Sequence, residues 1–241
     1  MDRPRREVQR RRVHEEIVEY LLEDIKNGVY TMGEELPSER SLMEEFQVGR
    51  PAIRESLLKL ERMGFIETRP GVRAKVCEPT VSPLLKDMTD VVQINLQNPL
   101  WLTYFQEARC LFESALARAA AEKFDEERIK QLKNALESNK THLDDISAFA
   151  NADVAFHKII ADATENPIFS ILYHHLNKWL LEQRRTTLAV PGQALKALNA
   201  HKKIYEALAA HNADMAGQAM QEHLLQIQSV YQSMTQEKAK E

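Results

Sequence analysis

Residues 38–63 read Ser38-Glu-Arg40-Ser-Leu-Met-Glu-Glu-Phe46-Gln-Val-Gly49-Arg50-Pro-Ala-Ile-Arg54-Glu-Ser-Leu-Leu-Lys-Leu-Glu-Arg-Met63. Two short helical patterns flank a tight turn at Gln47-Val48-Gly49. Ser38 suits an N-cap, and Leu42, Met43 and Phe46 form one apolar side. Pro51 sits in the first turn of the second pattern, where proline costs least. Ile53, Leu57, Leu58 and Leu60 are expected to face inward, and Gly64 ends the segment. The second helix opens with Arg50 and Arg54, four apart and so on one face. A helix that leads with arginines after a tight turn has the form needed to enter the major groove of DNA.

Working outward, Val13, Ile17, Leu21, Leu22 and Ile25 recur at helical spacing, with Gly28 as a C-cap. Beyond Gly64, residues 65–68 and 72–76 read as two short strands around Pro70-Gly71. Three helices followed by a hairpin describe a winged helix-turn-helix over residues 1–78. Arg40 is placed to meet backbone phosphate. Gly71 permits a sharp wing tip, with Arg69 and Arg73 as phosphate partners. The bland alternative pairs these arginines with Glu39, Glu44, Glu45 and Glu55 on a solvated surface.

Charge distribution favours the DNA reading. The whole chain carries −4, but residues 1–12 hold six Arg against Asp2 and Glu7. Residues 50–75 hold seven Lys and Arg against Glu55, Glu61 and Glu67. Two basic segments in an acidic molecule suit one DNA-contacting face.

Residues 79–83 break the pattern and read as a linker. The rest is expected to be helical, at about 83–97, 99–123, 126–141, 145–163, 167–188, 192–210 and 213–235. With 7 Gly and 9 Pro in 241 residues, a β-sandwich is disfavoured. The fold expected is mainly α: the winged head plus an all-α bundle of six or seven helices over 84–235, with a polar tail at 236–241. No apolar run approaches membrane-spanning length, and no signal peptide is evident. Cys77 and Cys110 suggest no disulfide framework. A reduced, cytoplasmic setting follows.

The bundle carries a metal-ligand pattern. Asp153 and His157 stand at i and i+4, one turn apart. His201 and His223 each lie eleven residues from Asn212. If a helical hairpin turns there, both sit roughly 16 Å up their helices, at one height. One carboxylate and three imidazoles suit Zn²⁺ or another divalent first-row ion. Taken alone, Asp-x-x-x-His is more often a plain hydrogen-bonded pair. His14, His142, His174, His175 and His211 carry no such pattern. Arg109, near Phe105, Leu111, Phe112 and Leu116, would want a carboxylate if turned inward. Glu113 is the ordinary partner.

The head resembles the GntR-type bacterial regulators through Leu36-Pro37-Ser38-Glu39-Arg40 and Val48-Gly49-Arg50-Pro51-Ala52-Ile53-Arg54-Glu55-Ser56-Leu57. That resemblance implies operator contacts by Arg40, Arg50, Arg54 and Gly71. The wing, Arg69-Pro70-Gly71-Val72, lacks the second glycine often found there. The bundle is similar to the effector domain of the FadR branch, through Glu107-Ala-Arg109-Cys-Leu-Phe-Glu113, Asp153-x-x-Phe-His157, His201-x-x-Ile and His223-Leu224. The resemblance implies a divalent metal on Asp153, His157, His201 and His223, and an acidic effector gripped by Arg109. Val48-Gly49-Arg50-Pro51 with Phe112-Glu113-Ser114 looks most like the sialic-acid-responsive repressors.

The function expected is therefore a ligand-responsive transcription regulator, acting as a homodimer on double-stranded operator DNA. It would be a repressor released by a small carboxylate or sugar acid at the metal site. Two alternatives stay open, a metal-dependent hydrolase or other metalloenzyme and a regulator whose metal only staples the bundle.

Overall fold

A computed structural model describes residues 13–238. The basic segment 1–12 and the last three residues of the expected tail lie outside the described residues. The chain divides into two compact units, residues 1–88 and 89–241.

In the first unit, α1 (Val13–Lys26), α2 (Glu39–Phe46) and α3 (Arg50–Arg62) precede the strands β1 (Ile66–Glu67) and β2 (Lys75–Val76). The Ser38 side chain accepts from Ser41 N–H and starts α2, while Gln47 stops it in a left-handed conformation. Ile17, Val18 and Leu21 of α1 meet Leu42, Ile53, Leu57 and Leu60 in one core. The buried Ser56 hydroxyl lies within reach of the carbonyl of His14 on α1 and of Ala52 on its own helix. The hairpin is antiparallel, with Ile66 opposite Val76, and Glu35 bridges Lys75 on the far side. The strands are shorter than expected, two residues each. Leu58 corrects the inward assignment: it is 50% exposed. It stands four residues after Arg54, on the face those arginines share, rather than on the Ile53–Leu57–Leu60 face.

Gly64 ends α3 at φ +78, where a side chain would be strained. A Cβ there would also sit 2.0 Å from the Thr80 carbonyl oxygen. Thr80 N–H donates to the Gly64 carbonyl, and Cys77 N–H to that of Phe65. The chain leaving the hairpin thus lies directly on the end of α3. Next comes α4 (Ser82–Asp87), whose Asp87 pairs with Arg62 at 3.6 Å.

The second unit is a helical bundle: α5 (Thr89–Asn95), α6 (Pro99–Ala121), α7 (Glu126–Thr141), α8 (Ile146–Ala163), α9 (Pro167–Trp179), α10 (Leu181–Leu188), α11 (Gln193–Ala209) and α12 (Ala213–Lys238). Asn98, Asp125, Asp145 and Asn166 each cap a helix through their side chains. Its main core joins Ala117, Ala120, Phe156, Ile160, Ile204, Leu208, Met220 and Leu224, from α6, α8, α11 and α12. Two expected helices are each divided in two, 83–97 at Met88 and 167–188 at Leu180. Neither break carries glycine or proline, so no local signal marks it. Leu180 instead turns at φ −96, ψ 6 while its side chain is fully buried beside Leu96 and Leu102.

Candidate metal centre and nucleic-acid interface

All four expected ligands are placed by apolar stripes. On α8, Asp153 and His157 share the buried face with Phe149, Phe156 and Ile160. His201 sits between Ala197 and Ile204, and His223 between Met220 and Leu224. These are positions a helical period would normally fill with aliphatic groups, and burying a polar ring there is costly without partners. The α11–α12 turn lies at Asn212, whose side chain caps α12 by accepting from Met215 N–H at 3.0 Å. Asp153, His157, His201 and His223, all buried, each offer a ligand atom within 4.8 Å of the others.

The hydrogen bonds around them fix which atoms face inward. His157 Nδ1 lies 2.6 Å from Glu113 Oε2. A carboxylate oxygen only accepts, so Nδ1 carries a proton, and in the neutral ring Nε2 is then bare. His201 Nδ1 lies 3.0 Å from Asn139 Oδ1, and that amide is oriented because its Nδ2 donates to the Phe149 carbonyl. His201 Nε2 is therefore bare as well. The two Nε2 atoms stand 3.3 Å apart, and Asp153 Oδ1 is 3.2 Å from His201 Nε2. Neither ring nitrogen of His223 has a hydrogen-bond partner among the described residues. Lone pairs converging on one point without a proton between them repel, unless a cation sits there. This donor set, with outer partners that fix each imidazole, fits a divalent metal.

Burial, then the neighbouring histidines, hold the pKa values of His201 and His223 well below the ordinary range, leaving both rings neutral. For Glu113, burial works to raise the pKa. The charge of Arg109 and the contact with His157 outweigh it and hold the carboxyl far below its usual value. Arg109 Nε donates to Glu113 Oε1 at 2.6 Å, so the ordinary partner is the one in place.

Sequence reasoning missed Arg184. Buried on α10, it pairs with Asp153 and donates to Asn177 Oδ1 at 2.6 Å. Burial and then the charge of Arg109 push its pKa down to about 9, which still leaves it charged at neutral pH. Its setting in Gln183-Arg184-Arg185 looks like a solvated helix end. Asn139 and Asn177 likewise carried no signal, since a lone amide on a helix is unremarkable. Arg109, Arg184, Asp153 and His223 line one cavity with Gln106 and Gln226. Two guanidinium groups beside a candidate metal can take a carboxylate, and the amides can take hydroxyls.

In the first unit, Arg40, Arg50, Arg54, Arg69, Gly71 and Arg73 all border one open groove between α3 and the hairpin. Arg50 Nε donates to Glu39 Oε2 at 2.7 Å, and Arg54 Nε lies 3.4 Å from Oε1 of the same carboxylate. The bond from Arg50 lowers the pKa of Glu39. Arg40 pairs with Glu44 at 3.1 Å, Arg69 with Glu67 at 3.0 Å and Arg73 with Glu35 at 3.9 Å. These pairs are exposed and weak, so phosphates can replace the carboxylates. Gly71 has φ +76 and open space around it, as a wing tip needs.

Comparison with known proteins bears on both units. Residues 13–76 match the model of the bacterial regulatory proteins of the gntR family, and residues 105–226 match that of the FCD domain. The HTH-type transcriptional repressor NanR of Cronobacter sakazakii is 35% identical over 239 residues, 97% of this chain and 91% of that protein. NanR of Escherichia coli (strain K12) is 36% identical over 236 residues, 96% of this chain and 89% of that protein. Among solved structures, Streptococcus agalactiae GntR covers 90% of this chain and 99% of its own, with a TM-score of 0.64 at 22% identity. At that identity the likeness shows the fold. Among the described residues, no helix is long and apolar enough to cross a membrane.

Proposed function

The chain belongs to the GntR family of bacterial regulatory proteins and is a ligand-responsive, DNA-binding regulator rather than an enzyme; from that premise we propose that it represses transcription and releases its operator when a small carboxylate or sugar acid enters the α6–α12 cavity. Asp153, His157, His201 and His223 hold a divalent metal, with Zn²⁺ the first choice for three imidazoles and one carboxylate. The metal supplies a Lewis-acidic anchor for the effector. Arg109 and Arg184 take its carboxylate, and the neighbouring glutamines take its hydroxyls. Similarity to NanR, with residues 48–51 and 112–114, puts sialic acids first among the sugar acids to try.

In the head, Arg50 and Arg54 read the major groove, Arg40, Arg69 and Arg73 hold phosphates, and Gly71 lets the wing tip approach the minor groove. Two copies act together on a palindromic site. Effector binding favours one placement of the two heads and so changes operator affinity. The domain assignment that goes with this is a DNA-binding domain over 1–78, a linker over 79–83 and a sensing domain over 84–235.

The observation that carries the reading is the convergence of bare imidazole nitrogens and Asp153 at the wall of a cavity holding two guanidinium groups. The test is a thermal-shift series with sialic acids and simple carboxylates, run on metal-loaded and chelated protein, beside operator mobility shifts. A sensor gains stability with the acid only when metal is present, and it then loses DNA. Equal acid affinity with and without metal would leave the metal as a staple.

A further inference from the structure

Two acids, Glu39 and Glu61, border the groove between α3 and the hairpin. Glu39 is taken up by Arg50 and Arg54. Glu61 forms no ion pair among the described residues; its contacts run to Thr68 instead. On the helix it falls in the roughly 40° arc between Arg50 and Arg54, about 16 Å along from Arg50. A carboxylate without a cation on a face that meets phosphates repels them. Its hydrogen bonds show what it does there. Glu61 Oε1 accepts from the backbone N–H of Thr68 at 3.2 Å and from the Thr68 hydroxyl at 2.5 Å. Thr68 is the first residue past β1. The tip follows at once, closed where Val72 N–H donates to the Arg69 carbonyl. The two roots of that tip are held differently. Around Ala74 the backbone does it: Leu36 N–H donates to the Ala74 carbonyl and Val76 N–H to that of Glu34, both at 2.8 Å. At Thr68 the N–H and the hydroxyl both end on one side chain, with the strength of bonds to a charged acceptor.

We infer that Glu61 is a positioning residue for operator recognition: its carboxylate latches the wing to the recognition helix and sets the spacing between the Arg50–Arg54 face and Arg69, Gly71 and Arg73. The inference rests on the reading above that α3 and the wing grip one duplex. With the latch gone, the wing swings about its Ala74 root, and its arginines no longer meet phosphates in step with the helix. Glu61 thus gives up general attraction for DNA in exchange for a fixed reach. The effect is a matter of specificity, because random DNA can be gripped by a wing at any angle while one operator cannot. A glutamate can also read cytosine directly, and the test separates that role from the latch.

The test is fluorescence anisotropy on the full chain over a range of salt, with melting temperature followed in parallel. The probes are a duplex that the wild-type protein selects from a random-sequence pool and the same duplex scrambled. Glu61→Ala weakens binding to the selected duplex by about tenfold, although it removes a negative charge. It leaves the scrambled duplex bound as well as before or better. The salt slope on the selected duplex falls by about two, one for each wing arginine. Glu61→Gln keeps an acceptor oxygen in place, so it binds the selected duplex within a few-fold of wild type. Thr68→Val removes one of the two bonds and weakens that binding by about threefold. Added to Glu61→Ala it costs nothing more, since its partner is already gone. The melting temperature stays within a few degrees throughout, because the pair is exposed. Unchanged or tighter binding of the selected duplex by Glu61→Ala, a loss that Glu61→Gln shares in full, or additive losses in the double variant overturns the proposal. A new base preference in Glu61→Gln with the wild-type salt slope overturns it too, and makes Glu61 a base reader. Arg50→Ala keeps the two ideas apart. A loss in Arg50→Ala with none in Glu61→Ala removes the latch and spares the reading head. A wild-type protein that selects no sequence removes both.

Discussion

Two glutamates, each bracing two nitrogen-bearing partners, do opposite work in the two units. Glu39 receives Arg50 and Arg54 at the surface of the head. Glu113 receives Arg109 and His157 in the centre of the bundle, where all three side chains are at most 3% exposed. In water the first arrangement is nearly free to exchange, because solvent screens the charges and solvates whichever group is released. In the interior the second cannot exchange without stranding a charge. A site that must trade a carboxylate for a phosphate is built the first way. A site that must present a bare imidazole nitrogen at a fixed place is built the second way.

The sharpest way to break this contrast is to remove each acid. Glu113→Ala should cost about 3–5 kcal/mol in urea unfolding, since it leaves Arg109 buried without its partner. Glu39→Ala should cost under about 1 kcal/mol. Similar losses would end the distinction. Next in size, His157→Ala should remove bound metal almost entirely by elemental analysis, and Asn139→Ala should weaken metal binding about 10- to 100-fold through the freed His201 ring. Full occupancy in both would deny the site. Arg50→Ala and Arg54→Ala should each weaken operator binding by about 1–3 kcal/mol with no change in melting temperature. Unaltered binding in both would misplace the recognition helix.

The pH dependence is smaller and has a definite sign. His201 and His223 have pKa values depressed below 6.5 in the folded chain. Between the folded and unfolded values the unfolded chain binds more protons, so stability is present above about pH 6.5 and declines as pH falls below it. Melting curves of chelated protein from neutral to mildly acid buffer would show this. A melting temperature that rises on acidification contradicts it. Smallest of all, Glu39→Gln should tighten operator binding by less than about tenfold, because one competing carboxylate is gone; weaker binding would mean that Glu39 orients the arginines.

What could be read beforehand was whatever repeats locally. Ser38, Gln47-Val48-Gly49 and Pro51 announce the turn because caps and turn residues act within a few positions. The His201–His223 register followed from the hairpin at Asn212 and the helical rise alone. Leu58 was misassigned because a leucine at helical spacing gives no sign that its face is the one shared with the arginines. Arg184 and Asn139 were invisible for another reason. Their partners, Asp153 and His201, are 31 and 62 residues away, and nothing in a charged run or a lone amide says which way it turns. The break at Leu180 needed tertiary packing, and neither it nor the break at Met88 has a residue that enforces it.

The contact between Gly64 and Thr80 has a mechanical consequence. The strand that leaves the head is clipped to the foot of the recognition helix with no side chain between them. A tug on that strand is felt at α3 directly instead of being absorbed by slack. Any residue larger than glycine at position 64 would pry this joint open and turn a stiff handle into a loose tether.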